Sequence, residues 1–177
     1  MGMMAAISLV AGCIASAHAS STPRKKQPPP RPTLWQVVDT LSINHPFTKK
    51  LLESTLSVRL REKDAKFNTR WNFFSARNAR LADGVHVQDI RFSYKKSDPA
   101  LAEILLNEIK GICLTEKQVE SQYGPLTLLD SPREYTHKYL YQSPVSWGYL
   151  TFSFQADSPH CLISVGFRMD DKRPADK

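Results

Sequence analysis

Glycine is scarce in this chain, seven in 177 residues, and none falls in a closely spaced phosphate-binding pattern. Loops that cradle phosphates need such glycines to bring backbone N–H groups close, so nucleotide chemistry of that kind is not expected. No G-x-S-x-G run is present, which removes the nucleophile elbow of the α/β-hydrolases. C-x-x-C and H-E-x-x-H are also missing, and the histidines beyond residue 19 are four and scattered, so neither a metal nor another cofactor is expected. No stretch holds the roughly 20 apolar residues that a membrane-crossing helix needs.

Charge is missing from one segment. Residues 1–19 contain no Lys, Arg, Asp or Glu, and carry an apolar run followed by small residues and Ala17-His18-Ala19. That is the pattern of a secretory signal peptide cleaved after Ala19, although the usual positive start is lacking. A second reading lies inside it: Val10-Ala11-Gly12-Cys13 resembles a bacterial lipobox, with Cys13 as the lipidated first residue. Both readings imply export. Residues 20–33 form a basic Pro-rich linker with Arg24, Lys25, Lys26 and Arg31 and no acid, read as a solvated tether or spacer. Residues 170–177 read as a flexible tail.

Between linker and tail, residues 34–169 have the length and apolar content of a single α+β domain. Two helix-plus-antiparallel-sheet halves are expected, 34–96 and 97–169, with the helices packed on one face of the sheet. In the first, Thr33-x-x-Gln36 is a capping box opening a helix with Trp35, Val38 and Leu41 inward. Asn44-His45-Pro46 stops it, and another helical turn or two is expected within 47–54. Alternation predicts a strand over 56–60, a second over 67–74, a polar loop over 75–82 and a tight turn at Asp83-Gly84. A change of phase after Val87 suggests a bulge near Gln88-Asp89.

In the second half, Asp98-Pro99 reads as N-cap and first turn of a long helix, with Leu101, Ile104, Leu105, Ile109 and Ile112 at helical spacing. Thr115-x-x-Gln118 is a second capping box; its short helix turns Val119 inward and ends at Gly124-Pro125. Three alternating strands follow, around 135–141, 149–154 and 161–169. The repeated order of T-x-x-Q helix and three strands is what an internal duplication would leave.

The run from Leu114 to Pro125 resembles the "LTxxQVxxxxGxP" helix of small outer-membrane lipoproteins of the SmpA/OmlA type. Tandem units of helix and sheet are also similar to the β-lactamase-inhibitor-protein fold. The likeness spans Leu114 to Arg168 and implies a protein-binding unit without an active site. Trp147-Gly148-x-Leu150-x-Phe152 and Cys161-Leu162 resemble a further group of exported proteobacterial proteins. A long segment before the motif and an additional basic half depart from the lipoprotein pattern.

Once residues 1–19 are removed, Cys113 and Cys161 are an even pair in an exported chain, best read as a disulfide. A Cys–His nucleophile is not expected, because His160 and Cys161 are adjacent in a strand and face opposite ways. His137, among tyrosines, reads as a packed sheet residue. Asp130 and Glu134 bracket Pro132 and give a paired-carboxylate hydrolase no support. Charge is unevenly distributed: 49–96 hold twelve Lys/Arg against five acids, while 97–169 hold five against eight. This reads as a dipolar surface or as a site for an anionic partner.

Two binding surfaces follow. Tyr135, Tyr139, Tyr141, Trp147 and Tyr149 are a candidate protein-binding face, if that face of the sheet is open. Arg59, Arg61, Arg70, Arg77 and Arg80 are candidate anion-binding residues. The expected function is a non-catalytic protein-binding module of the cell envelope, periplasmic or anchored to the outer membrane, of inhibitor, immunity or assembly-accessory type. Its partner would be another envelope or secreted protein. Alternatives are binding of an anionic membrane surface through 49–96, and a periplasmic hydrolase. Nucleic acid is not an expected partner of an exported chain.

Overall fold

The computed structural model describes residues 30–64, 68–133 and 137–169. The leader with Cys13, most of the basic linker, Tyr135 and the tail lie outside them. Three helices, α1 (Leu34–Ile43), α2 (Lys49–Leu56) and α3 (Glu116–Tyr123), accompany eight strands. The strands are β1 (Arg61–Lys63), β2 (Trp71–Arg80), β3 (His86–Lys95), β4 (Asp98–Lys110), β5 (Thr127–Asp130), β6 (Lys138–Val145), β7 (Gly148–Gln155) and β8 (Leu162–Met169). They form one antiparallel sheet in the order β1-β2-β3-β4-β8-β7-β6-β5. The chain therefore builds an α+β fold of two four-strand meanders, joined where β4 pairs with β8.

Helix starts follow local chemistry. The Thr33 hydroxyl accepts the Gln36 N–H at 3.2 Å and the Gln36 side-chain oxygen accepts the Thr33 N–H at 2.9 Å, the reciprocal cap expected from sequence. At α3 the Gln118 oxygen accepts the Thr115 N–H at 2.8 Å. Leu34, Val37, Val38 and Leu41 of α1 are buried and Trp35 only half-buried, so the inward stripe is one residue wider than the spacing suggested. Asp83 ties α1 to the β2–β3 turn by accepting the Leu34 N–H at 2.8 Å. The Asp83-Gly84 turn forms as expected, with Gly84 at φ 79°.

The expected long helix over 97–112 is not formed; those residues are β4, at thirteen residues the longest strand. Lys96 and Ser97 turn β3 into β4, and the Asp98 carboxylate accepts the Ala100 N–H at 3.2 Å, holding that turn instead of capping a helix. Ala102, Ile104 and Leu106 then alternate into the core, while Leu101 and Leu105 are half-buried on the other face. Apolar residues on both faces imitate helical spacing, and pairing with β3 and β8 decides for the strand. The junction between the meanders accordingly lies between Lys110 and Glu116 and not at 96/97.

Two further expectations shift. The strand expected over 56–60 is replaced by the end of α2 and an irregular stretch, leaving only Arg61–Lys63 as β1. β2 begins at Trp71 and runs through 75–80, the stretch expected as loop, because β3 pairs with it from Trp71 to Arg80. The buried phase does change after Val87, yet Ala79↔Val87 and Ala76↔Ile90 stay in one register, so no residue is inserted. Asn78 and Glu108, flanking Gln88 on the neighbouring strands, take φ of 62° and 53°. All three strands switch faces together there: Ala76, Ile90 and Leu106 are buried on one side of the switch, Ala79, Val87 and Ile109 on the other.

One core unites these elements. The inward residues of α1 and α2 join Phe92, Ile104, Leu150, Phe152, Phe154, Val165 and Phe167 of the strands. Phe47, between α1 and α2, meets Phe167 edge-on at 5.7 Å, and Tyr123 of α3 stacks on Phe152 at 5.5 Å. A register shift between Ser153 and Phe154 lets Leu162, and not Cys161 or Ile163, continue the buried row of β8. Cys113 and Cys161 form a disulfide with their Cα atoms 4.9 Å apart, tying the end of the first meander to the start of β8. Leu162 N–H donates to the Leu114 carbonyl beside it at 2.8 Å.

Candidate cationic groove

The end of α2 sets the site. Ser57 stops the helix in the left-handed conformation (φ 52°), and Glu53 then holds the next residues. Its carbonyl accepts the Val58 N–H at 3.1 Å and its carboxylate accepts the Leu60 N–H at 2.8 Å. Leu60 is buried under this stretch. The chain reaches β2 only at Arg61, which pairs with Ser75. Between the 57–60 stretch and β2 a groove of about 620 Å³ is left, lined by Ser57, Arg59, Arg61, Lys63, Arg77 and Asn78, among others.

Its electrostatics are one-sided. Arg59, Arg61, Lys63 and Arg77 are exposed, and among the described residues no carboxylate lines the groove, although Asp89 and Glu108 share the adjoining depression with Arg77 and Asn78. Ion pairs form elsewhere: Asp89–Arg91 at 2.7 Å, Glu103–Arg168 at 3.9 Å, Lys49–Glu53 at 3.9 Å and Asp130–Arg133 at 3.0 Å. Among the described residues, none of the four groove cations has such a partner. Like charges gathered without counter-charge raise the potential in a concave site and favour an anion there.

Of the five candidate anion-binding arginines, Arg59, Arg61 and Arg77 meet in the groove. Arg70 precedes β2, its carbonyl accepting the Lys96 N–H at 2.9 Å, and Arg80 ends β2; neither lines the groove. Lys63 belongs to the set and was missed. Its signal was the alternation 59-61-63, obscured by Glu62 and Asp64.

The candidate aromatic face is divided. Tyr139 and Tyr141 share the face of β6 that lies opposite Phe154 and Phe152. The Tyr141 phenol is pushed up to about 12, by burial first and then by its hydrogen bond to Glu116. Trp147 donates its indole N–H to the Ser42 carbonyl at 2.8 Å and packs on His45, Phe47 and Phe167. Tyr149 points to the other face, where it and Trp71 line a shallow depression of about 350 Å³ around the Glu103–Arg168 pair. Trp147 and Tyr141 thus act in packing, and the four described residues, Tyr139, Tyr141, Trp147 and Tyr149, do not form one exposed patch.

No thiol is available for nucleophilic attack at Cys113 or Cys161, since each sulfur is bonded to the other. His137 is exposed at the start of β6, not packed within the sheet as expected. Among the described residues, no three His, Cys, Asp or Glu side chains gather as a metal site requires. No described helix is long and apolar enough to cross a membrane. The disulfide accords with an oxidising, exported environment. No family model, no curated protein and no solved structure matches this chain.

Proposed function

We propose that this chain is an exported, non-catalytic binding module of the bacterial cell envelope whose ligand-bearing surface is the cationic groove. Four cations in one concavity, none with an ion-pair partner among the described residues, carry the reading. An inhibitor, immunity or assembly-accessory protein acts through such a surface, with an acidic partner protein as ligand. The likeness of Leu114–Pro125 to the SmpA/OmlA helix agrees with a protein-binding role. Export in this reading comes from residues 1–19, by cleavage after Ala19 or by lipidation of Cys13, and places the module in the periplasm or on the outer membrane. The two meanders, each led by a T-x-x-Q helix, are in this reading copies of one ancestral unit. Their helices cover one face of the joined sheet.

Retention on immobilised polyglutamate tests the groove. A variant with Arg59, Arg61 and Arg77 all changed to Glu should elute at markedly lower salt, whereas Arg70→Glu with Arg80→Glu should elute close to the wild type. Equal losses from both variants would sink the groove as the ligand-bearing surface. Binding to phosphatidylglycerol vesicles that depends on Arg70 and Arg80 as much as on the groove would favour the membrane-surface alternative.

A further inference from the structure

We propose that the groove takes an extended acidic segment of a partner protein, which adds as a further strand along the edge of β2. The proposal rests on the reading of the groove as the ligand-bearing surface and specifies the form of the ligand. β2 is ten residues long, but β1 pairs only with Phe73, Phe74 and Ser75. Among the described residues no strand lies on that side of Ala76–Arg80. A strand edge presents a row of main-chain donors and acceptors, a template onto which another chain can pair. Asn78, left-handed at φ 62°, interrupts that row, so an added strand pairs with the extended residues on either side of it.

Both walls of the groove suit that occupant. One wall is β2 at Ser75, Ala76, Arg77 and Asn78. The other is the 57–59 stretch, which Glu53 holds away from β2. Arg77 lies on β2 itself and Arg59 on the facing stretch, so carboxylates of an added strand fall between them, while Arg61 and Lys63, paired in β1 with Ser75 and Phe73, stand at its end. Farther along, Leu81 N–H donates to Val85 on the β3 side at 2.9 Å, while Ala82 N–H donates to the Pro32 carbonyl at 2.9 Å.

Charge excludes two other occupants. The chain's own linker carries Arg24, Lys25, Lys26 and Arg31 and no acid, so the groove repels it. A second copy docking edge to edge would set the same arginines against one another. A flat anionic membrane would have no need of the open main chain, and would engage Arg70 and Arg80 as readily.

The probe is an eight-residue peptide with glutamate at alternate positions and threonine between, labelled and titrated by fluorescence anisotropy at low salt. The same peptide with lysine for glutamate should not bind. Changing Arg59, Arg61 and Arg77 together to Glu should weaken the glutamate peptide by at least about tenfold, with an unchanged circular dichroism spectrum. Backbone N-methylation at one set of alternate residues should cost about tenfold and at the other set little, because only one set donates to β2. On binding, amides between Ala76 and Arg80 should gain protection from hydrogen exchange.

Tight binding with no response to N-methylation at either set would overturn strand addition while leaving the groove as an anion site. No binding of the glutamate peptide, together with no retention on polyglutamate, would overturn both readings and leave the arginines as guards against edge pairing. Phosphatidylglycerol vesicles binding where the peptide does not would also overturn the proposal, in favour of a lipid surface.

Discussion

The two meanders share a topology and differ at their outer edges. In the first, the short edge strand β1 covers three residues of β2, and the chain before it is held off by Glu53, leaving an open cationic groove. In the second, β5 is similarly short, but the far part of β6 is met by α3, with Ser143 donating to the Tyr123 carbonyl at 3.2 Å. Net charge leans the same way: residues 34–110 hold thirteen Lys/Arg against nine acids, residues 116–169 four against five. A common framework thus carries one edge that is open and charged and another that is tied to a helix. Individuality resides at the rim, where side chains escape the packing constraints of the shared core.

The largest expected effect strikes what the meanders hold in common. Phe167 pairs with Ile104 across the junction and packs against Phe47 and Trp147, so Phe167→Ala should cost about 4 kcal/mol in urea denaturation. A loss under about 1 kcal/mol would mean that the meanders fold on separate cores. Replacing Cys113 and Cys161 by Ser should cost about 3 kcal/mol, since the bond closes a separation of 48 residues. The urea midpoint under reducing conditions checks this, and no change on reduction would remove the disulfide from the account.

Smaller effects separate the two caps and the two ends. Thr33→Ala should cost about 1 kcal/mol by removing the acceptor for the Gln36 N–H, and Thr115→Ala less, because alanine keeps the backbone N–H that donates to Gln118 and only a hydroxyl bond to the same oxygen is lost. Thermal melts of each variant would show whether the meanders depend equally on their helices.

The least effect is expected at His45, stacked on Trp147 with its Nε2 3.3 Å from the Met169 sulfur. Burial lowers its pKa below 6.5, so the folded state holds the ring neutral while the unfolded chain binds the proton more readily. Its contribution is complete above pH 6.5 and diminishes as pH falls through the lowered folded value. The melting temperature should therefore drop on acidification across that window, and His45→Gln should flatten the drop. An unchanged slope in that variant would assign the acid sensitivity to other groups.

Features written in short windows were legible in the sequence. Thr33 with Gln36 and Thr115 with Gln118 announce helix starts because the bonds they make span three residues. The strands after residue 137 were visible as alternation because each leaves one face largely polar. The segment 98–110 was not, since a central strand flanked by β3 and β8 carries apolar residues on both faces, and Leu101 and Leu105 completed a false helical stripe. Residues 75–80 read as loop because their arginines mask the two small core positions, Ala76 and Ala79. The aromatic residues were visible as a group, but the partners of Trp147 and Tyr141 come from α1, the α1–α2 loop and α3, and no local pattern encodes that.

By itself the sequence determined the α+β composition, the helix caps, the candidate pairing of Cys113 with Cys161 and the excess of positive charge before residue 97. Each rests on residue identity or on neighbours a few positions apart. Only the tertiary structure decided which three of five arginines meet, that Lys63 joins them, and that β2 keeps an open edge beside them. Arg59 and Arg77 come together through the turn of Ser57, the hold of Glu53 and the pairing of Arg61 with Ser75. Those are contacts between distant residues, whose energies no short window of sequence contains.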